Sequence, residues 1–233
     1  MVLRQRRTLG LFAKWPQAGQ VKTRLAAQTS PEWAAQIALA FLRDTLTRLT
    51  SISARRVLAC SGADTADQFA AIVQNQFELE PQSHGDLGQR MSAFFTACLA
   101  NGDERVVLVG ADSPTLPLSY IETAFDALAV ADVVLCPATD GGYCLMGCAG
   151  QAPPVFDGIT WGGTNVLSET VARIKTAKLK LALLPPWYDV DMLEDWHMLR
   201  GHVAAMRLAG LDPGVPFTEA LFNQSSPTAF ELP

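Results

Sequence analysis

Short runs of branched apolar residues alternate with longer stretches in which apolar positions recur every three or four residues, and this continues to about residue 208. TLGLFA, residues 8–13, ends at turn-forming residues and predicts a first strand. In SPEWAAQIALAFLRDTLTRL, residues 30–49, Ser30 is placed to cap, Pro31 opens the helix and Glu32 lies in its first turn. Trp33, Ile37 and Phe41 form one stripe, and Leu39, Leu42, Leu46 and Leu49 a second, so this helix should be broadly buried. RRVLACS predicts a second strand, ADTADQFAAIVQNQ a helix and FELEP a short strand. GDLGQRMSAFFTACLANG predicts a helix with Leu87, Met91, Phe94, Phe95 and Cys98 facing inward and Gly102 near its end. ERVVLVG is almost continuously branched, as expected in the middle of a parallel sheet. PLSYIETAFDALA predicts a helix and DVVLCP a buried strand, with YCLMG a further strand across a short DGG turn. TNVLSETVARIKTA reads as a helix, KLALLP as a strand, and MLEDWHMLRGHVAAMRLA as a closing helix interrupted by Gly201, with an irregular tail from Pro213. Such alternation predicts an α/β fold with a mainly parallel sheet covered on both faces. Ligands in these sheets bind beyond the carboxyl ends of the strands.

The 233 residues, 49% of them hydrophobic, suffice for one globular domain over the whole chain with a substantial core. A net charge of -5 and a pI near 5.2 leave no general nucleic-acid or anionic-membrane surface, so any basic site must be local. No apolar run is long enough to span a bilayer, and MVLRQRRTLG lacks the features of a signal peptide, so a cytoplasmic protein without membrane insertion is expected. The cysteines, Cys60, Cys98, Cys136, Cys144 and Cys148, are odd in number and mostly in apolar surroundings, as reduced buried thiols would be.

Against this acidic background FAKWPQAGQVKTRL, residues 12–25, holds Lys14, Lys22 and Arg24 and no acidic residue. Three cations around a proline and a glycine repel one another unless solvated or met by an anion, and phosphate oxygens accept charge-assisted hydrogen bonds. The loop is neither a Walker A nor a G-x-G-x-x-G sequence. In VVLVGADSPTLP, Asp112 follows a buried strand, where a carboxylate can hold Mg²⁺ or cap the next helix. Asp189 and Asp191 in WYDVDMLEDW lie two apart and share one side of extended chain, although Asp191 could equally cap the final helix. PATDGGYCLMG offers Asp140, Gly141, Gly142 and Tyr143 in a tight turn that a ligand could approach or that could be a plain hairpin. PQSHGDLGQRM has Gly85 and Asp86 at a helix start, with Arg90 following. His84, His197 and His202 are scattered and form no visible catalytic set.

FAKWPQAGQVKTRL, GDLGQRM, VGADSPTLP, PATDGGYCLMG and YDVDMLEDW together resemble, in this order, the bacterial DUF2064 family, whose members are described as GT-A-like glycosyltransferases or nucleotide-diphospho-sugar transferases. The likeness runs from about Leu9 to Leu199 and extends to guanylyltransferases of the molybdenum-cofactor and phospholactate type. It implies a Rossmann-like GT-A sheet. Lys22 and Arg24 would contact nucleotide phosphates together with Thr23, Gly85, Asp86 and Arg90, while Lys14 and Gly19 would shape the loop. Asp112, with Asp189 or Asp191, would hold Mg²⁺ or Mn²⁺, and Lys22 and Asp112 would carry the chemistry. The Asp140–Tyr143 loop would line the acceptor side. The Ser-Pro after Asp112 departs from the D-x-D of many glycosyltransferases.

The resulting expectation is a transferase that takes a nucleotide sugar, or a nucleoside triphosphate, and a small-molecule acceptor, with a homo-oligomer allowed. Transfer of a sugar is the first reading. Transfer of a nucleotidyl group to a phosphorylated acceptor, with loss of pyrophosphate, is the second. A non-catalytic nucleotide-sensing module is the third, and the paired carboxylates argue against it.

Overall fold

The computed structural model describes residues 6–62 and 65–223. The first five residues of the basic N-terminus, Ala63 and Asp64 of the second predicted helical stretch, and the end of the tail lie outside them.

Among the described residues seven strands form one sheet in the order β3-β2-β1-β4-β6-β5-β7. β1 (Arg7–Lys14) lies parallel to β2 (Arg55–Ser61) on one side and β4 (Arg105–Gly110) on the other. β3 (Glu78–Pro81) extends the parallel set beyond β2. β6 (Tyr143–Ala149) runs antiparallel to β4 and to β5 (Val133–Pro137), and β7 (Leu181–Leu183) is parallel to β5. The expected mainly parallel, mixed sheet is therefore present. The exception is β6, because the few residues joining it to β5 are too short for a crossover and permit only a hairpin.

Alternation along the central strands sends side chains into two cores. Leu9, Leu11, Val107 and Val109 meet α2 (Pro31–Leu49), α3 (Ala66–Val73) and α5 (Leu118–Ala127) on one face. Val106 and Leu108 meet α4 (Leu87–Ala100) and α6 (Val166–Thr176) on the other. A strand buried on both faces explains the unbroken apolar run of β4. Gly10 on β1 makes room for α4: a Cβ there would stand 2.4 Å from the Phe94 ring. A third cluster joins Leu25, Trp33, Ile37 and Phe41 to Trp196, Leu199 and Val203 of α7 (Leu193–Leu208). The cysteines are all free, with Cys60 alone partly exposed. Among the described residues no helix is long and apolar enough to cross a membrane.

Four local expectations need correction. The opening loop contains a helix, α1 (Thr23–Gln28), anchored by buried Leu25. Gly201 does not interrupt α7, since a glycine costs a helix only about 0.5–1 kcal/mol relative to alanine and the burial of Trp196, Leu199 and Val203 outweighs it. The tail carries α8 (Pro216–Glu219), tied down by buried Asp44 of α2, whose carboxylate accepts from Phe217 N at 3.0 Å and from Thr218 N and Oγ1 at 2.8 and 2.6 Å. Leu87 is 45% exposed rather than inward, because it occupies the first position of α4, at the mouth of a cavity.

Replacing Gly10 by alanine should destabilise the fold by about 1–3 kcal/mol, because Phe94 is penned between Phe12 and Phe95 and cannot easily yield. Urea denaturation checks this, and an unchanged midpoint would show that the ring moves freely.

Candidate active site

The carboxyl ends of β1 and β4 are neighbours in the sheet, with Phe12 opposite Gly110. The chain therefore leaves both strands at one place, through the basic loop after β1 and through Ala111–Pro117 after β4. Arg48 of α2 donates to the carbonyls of Pro114 and Leu116 and holds the second loop, while Thr115 Oγ1 lies 3.1 Å from the Tyr188 hydroxyl. Val190 N donates to the Asp112 carbonyl at 3.0 Å and draws in the segment before α7.

Lys22 joins these segments. It takes a left-handed conformation, φ 44°, immediately before α1. Its side chain is only 3% exposed. Nζ donates to Asp112 Oδ1 at 2.5 Å and to the Val190 carbonyl at 2.7 Å. It lies 3.8 Å from Asp191 Oδ1 and 4.9 Å from the centre of the Phe41 ring. A buried ammonium needs such partners to offset its desolvation. Arg24 is more exposed and reaches Asp191 Oδ2 at 4.0 Å and the Gly162 carbonyl at 3.5 Å.

Asp112 and Asp191 thus flank one ammonium, Asp189 stands close enough to feel the charge of both, and Asp140 is close enough to influence Asp189 and Asp191. Burial pushes the Asp189 carboxyl up to about 7, opposed by the hydrogen bond from Ser113 and reinforced by the charges of Asp112, Asp140 and Asp191. Asp191 is also raised, first by burial and then by Asp112, while Lys22 and Arg24 pull it back. The donor set is hard oxygen in partial charge excess, which fits Mg²⁺ bound by one or two carboxylates and completed by phosphate oxygens. Among the described residues no group of three or more His, Cys, Asp or Glu forms a ready metal cage, so a metal bound here would need oxygen ligands from a substrate or water.

Two cavities open beside Asp112, which lines both. One, of about 240 Å³, is bounded by Phe12, Lys14, Gln20, Lys22 and Ala111. The other, of about 250 Å³, is bounded by Asp140, Gly142, Tyr143, Trp161, Asp189 and Asp191 together with an apolar floor. A larger hollow of about 540 Å³ between α2, α3 and Phe217 contains no carboxylate and lies apart from these groups.

The expected residues divide accordingly. Lys22, Arg24, Asp112 and Asp191 come together, and Asp189 lines the same cavity. Lys14 lines the basic cavity and bonds the Gln20 carbonyl at 3.1 Å. Gly19, φ 75°, forms the exposed turn between them, and Thr23 is the exposed first residue of α1. Asp140, Gly142 and Tyr143 line the second cavity, whereas Gly141 is packed beneath Thr164, whose carbonyl a Cβ would approach to 2.0 Å. Gly85, Asp86 and Arg90 line neither cavity. Asp86 forms a capping box with Gln89 at the start of α4, and Arg90 Nε donates to the Gly85 carbonyl at 2.9 Å. Asp191 does not cap α7; Asp195 takes that part, accepting from the backbone of Asp191 and Met192 at 3.0 and 2.9 Å. Sequence reading missed the Val190 carbonyl, which carries no side-chain signal, and Ser113 and Trp161. A serine after Asp112 and a tryptophan before two glycines were visible, but nothing local tied them to the carboxylates.

The family model described as "uncharacterized protein conserved in bacteria (DUF2064)" matches residues 45–163, about half of the chain. A solved protein from Desulfovibrio desulfuricans G20, provisionally described as a nucleotide-diphospho-sugar transferase, is 31% identical over 92% of this chain and 94% of its own, with a TM-score of 0.83. The chain belongs to the DUF2064 family. Its fold is also that of a cytidylyltransferase from Leptospira borgpetersenii serovar Hardjo-bovis, 15% identical over 98% of this chain and 99% of that one, TM-score 0.57. The 4-diphosphocytidyl-2C-methyl-D-erythritol synthase from Anaerococcus prevotii DSM 20548 shares it as well, 10% identical over 86% and 99%, TM-score 0.55. No curated protein matches this DUF2064 chain.

Because folded Asp189 holds its proton more tightly than the unfolded chain, this group makes stability fall as pH rises from near 4 through about 7. Asp189→Asn should remove that slope. Melting temperatures of both proteins in EDTA between pH 4 and 8 check it, and parallel curves would show that Asp189 does not carry the effect.

Proposed function

We propose that the chain is a metal-dependent transferase that uses a nucleotide-diphosphate donor and transfers a sugar from it to a hydroxyl acceptor. The observation that carries this reading is buried Lys22 between Asp112 and Asp191, with a basic cavity and an acidic one opening beside Asp112. The 31% identity to the protein described as a nucleotide-diphospho-sugar transferase supports it. Free cysteines suit the cytoplasm, where we place the activity.

In this reading the donor's diphosphate lies against Lys22, with Lys14 and Arg24 flanking it. Asp112 and Asp191 would hold Mg²⁺ or Mn²⁺, and Asp189 has one oxygen not engaged by Ser113. When bound, such a metal supplies positive charge to the leaving diphosphate. The acceptor's hydroxyl oxygen attacks the anomeric carbon and the carbon–oxygen bond to the diphosphate breaks. The electron pair leaves with the nucleoside diphosphate, and the hydroxyl proton passes to a carboxylate on the acceptor side. Lys22 opposes the charge gathering on the diphosphate, and its anchorage on Val190 keeps it in place without reorganisation. The cationic loop after β1 also favours a second reading, nucleotidyl transfer. There a phosphorylated acceptor attacks the α-phosphate of a nucleoside triphosphate and pyrophosphate leaves.

A thermal-shift screen of nucleotides and nucleotide sugars, with and without Mg²⁺, identifies the donor, because a ligand of the native state raises its melting temperature. Asp112→Ala should abolish the metal-dependent shift, and Lys22→Ala should lower turnover about 10²–10³-fold. Free nucleoside diphosphate as product marks sugar transfer, and pyrophosphate marks nucleotidyl transfer. Wild-type binding and turnover in both variants would refute the transferase reading.

A further inference from the structure

We infer that the acceptor entering the second cavity carries no phosphate or other anionic group and presents an apolar face beside its reacting hydroxyl. The inference rests on the transferase reading and names the substrate class on one side of that site.

Charge is divided between the two cavities. Lys14 and Lys22 line the smaller, basic one. The other is walled by Asp112, Asp140, Asp189 and Asp191, and among the described residues no lysine, arginine or histidine lines it. Arg24 stands at its edge, but its guanidinium already faces Asp191 and the Gly162 carbonyl, and it is 57% exposed. A divalent cation shared with a donor diphosphate does not alter this balance, since the diphosphate brings at least as much negative charge as the metal offsets. A phosphorylated acceptor would therefore face carboxylates with no cation assigned to it. Bound phosphates are ordinarily met by arginine, lysine or backbone N–H groups.

The floor points the same way. Leu87, Met91, Leu108, Met146 and the rings of Tyr143 and Trp161 line the cavity. The Trp161 indole is packed onto α4 at Gly88, where a Cβ would stand 2.6 Å from Nε1. That N–H is buried without a hydrogen-bond partner among the described residues, so Trp161 offers the cavity ring carbon and no donor. Leu87, 45% exposed at the mouth, is an apolar surface that an entering ligand would cover. An apolar floor under a carboxylate rim accommodates the carbon face of a sugar ring or an aryl or alkyl alcohol, its hydroxyls turned to the carboxylates as donors.

The test uses the full chain saturated with Mg²⁺ and the nucleoside diphosphate that gives the largest thermal shift. Phenyl and octyl β-D-glucosides are titrated against their 6-phosphates, and the further rise in melting temperature is followed. The neutral glucosides should bind at least about tenfold more tightly than their phosphates. Trp161→Ala should weaken the neutral compounds about tenfold, and Met91→Lys should narrow the gap by strengthening the phosphates. A 6-phosphate that binds as tightly as its neutral partner, or a failure of every neutral glucoside to bind, overturns the inference while the nucleotide shift stands. Absence of any nucleotide shift overturns the transferase reading instead. The comparison of neutral and phosphorylated ligands on the wild-type chain decides the matter even if a variant does not fold.

Discussion

A buried ammonium cannot remain charged without partners, and the site of this protein is organised around that constraint. Lys22 meets it with the Asp112 carboxylate, the Val190 carbonyl and the face of Phe41. These groups come from the loop after β4, the segment before α7 and the middle of α2. One side chain thus ties together three regions far apart in sequence. The tie is reinforced by the backbone bond from Val190 to Asp112 and by Ser113 on Asp189. The carboxylates still outnumber the cations that face them, and this excess adds to the burial that raises the Asp189 carboxyl. A site in this condition gains free energy from an added cation, which is the physical basis for the metal in the proposed chemistry.

Sheet topology places the remaining groups. β6 is reversed against both neighbours, so its first residue, Tyr143, lies at the same end of the sheet as the last residues of β4 and β5. Had the connection been a crossover, the DGG turn would lie at the opposite end. Gly141 then packs beneath Thr164, and the Leu167 N–H bonds the Gly141 carbonyl at 2.9 Å, which fixes the approach to α6. The stretch just before it includes Trp161, set over Gly88. The acidic cavity is therefore closed by elements that the hairpin brings into register.

Separation of charge across Asp112 is the feature that gives the site a direction. Cations come from the first loop of the chain and most of the carboxylates from its second half, and Asp112 stands where they meet. In the proposed function a diphosphate and an uncharged alcohol suit the two sides better than two anions do, and that is the physical ground for placing sugar transfer before nucleotidyl transfer. The fold shared with the cytidylyltransferase does not decide between the two chemistries, because one sheet with the same strand ends can serve both.

Periodicity in the sequence was enough to determine the seven strands, the large helices and a mainly parallel sheet covered on both faces. Burial on one or both faces writes itself into the residue pattern. The candidate cations and carboxylates were equally legible, because three basic residues in an acidic chain and aspartates after apolar runs are local signals. Only the tertiary structure decided that Lys22 is buried against Asp112, that Asp195 rather than Asp191 caps α7, and that Asp86 and Arg90 are engaged at their own helix start. It also brought in the Val190 carbonyl and Trp161, and it showed that α1 begins inside the basic loop and that Gly201 is tolerated within α7. For Lys22, the Val190 carbonyl and Trp161 the reason is that their partners come from distant segments, of which a local pattern contains no record. The caps by Asp195 and Asp86 are local, but the pattern offered each carboxylate more than one part and only the folded backbone chose between them.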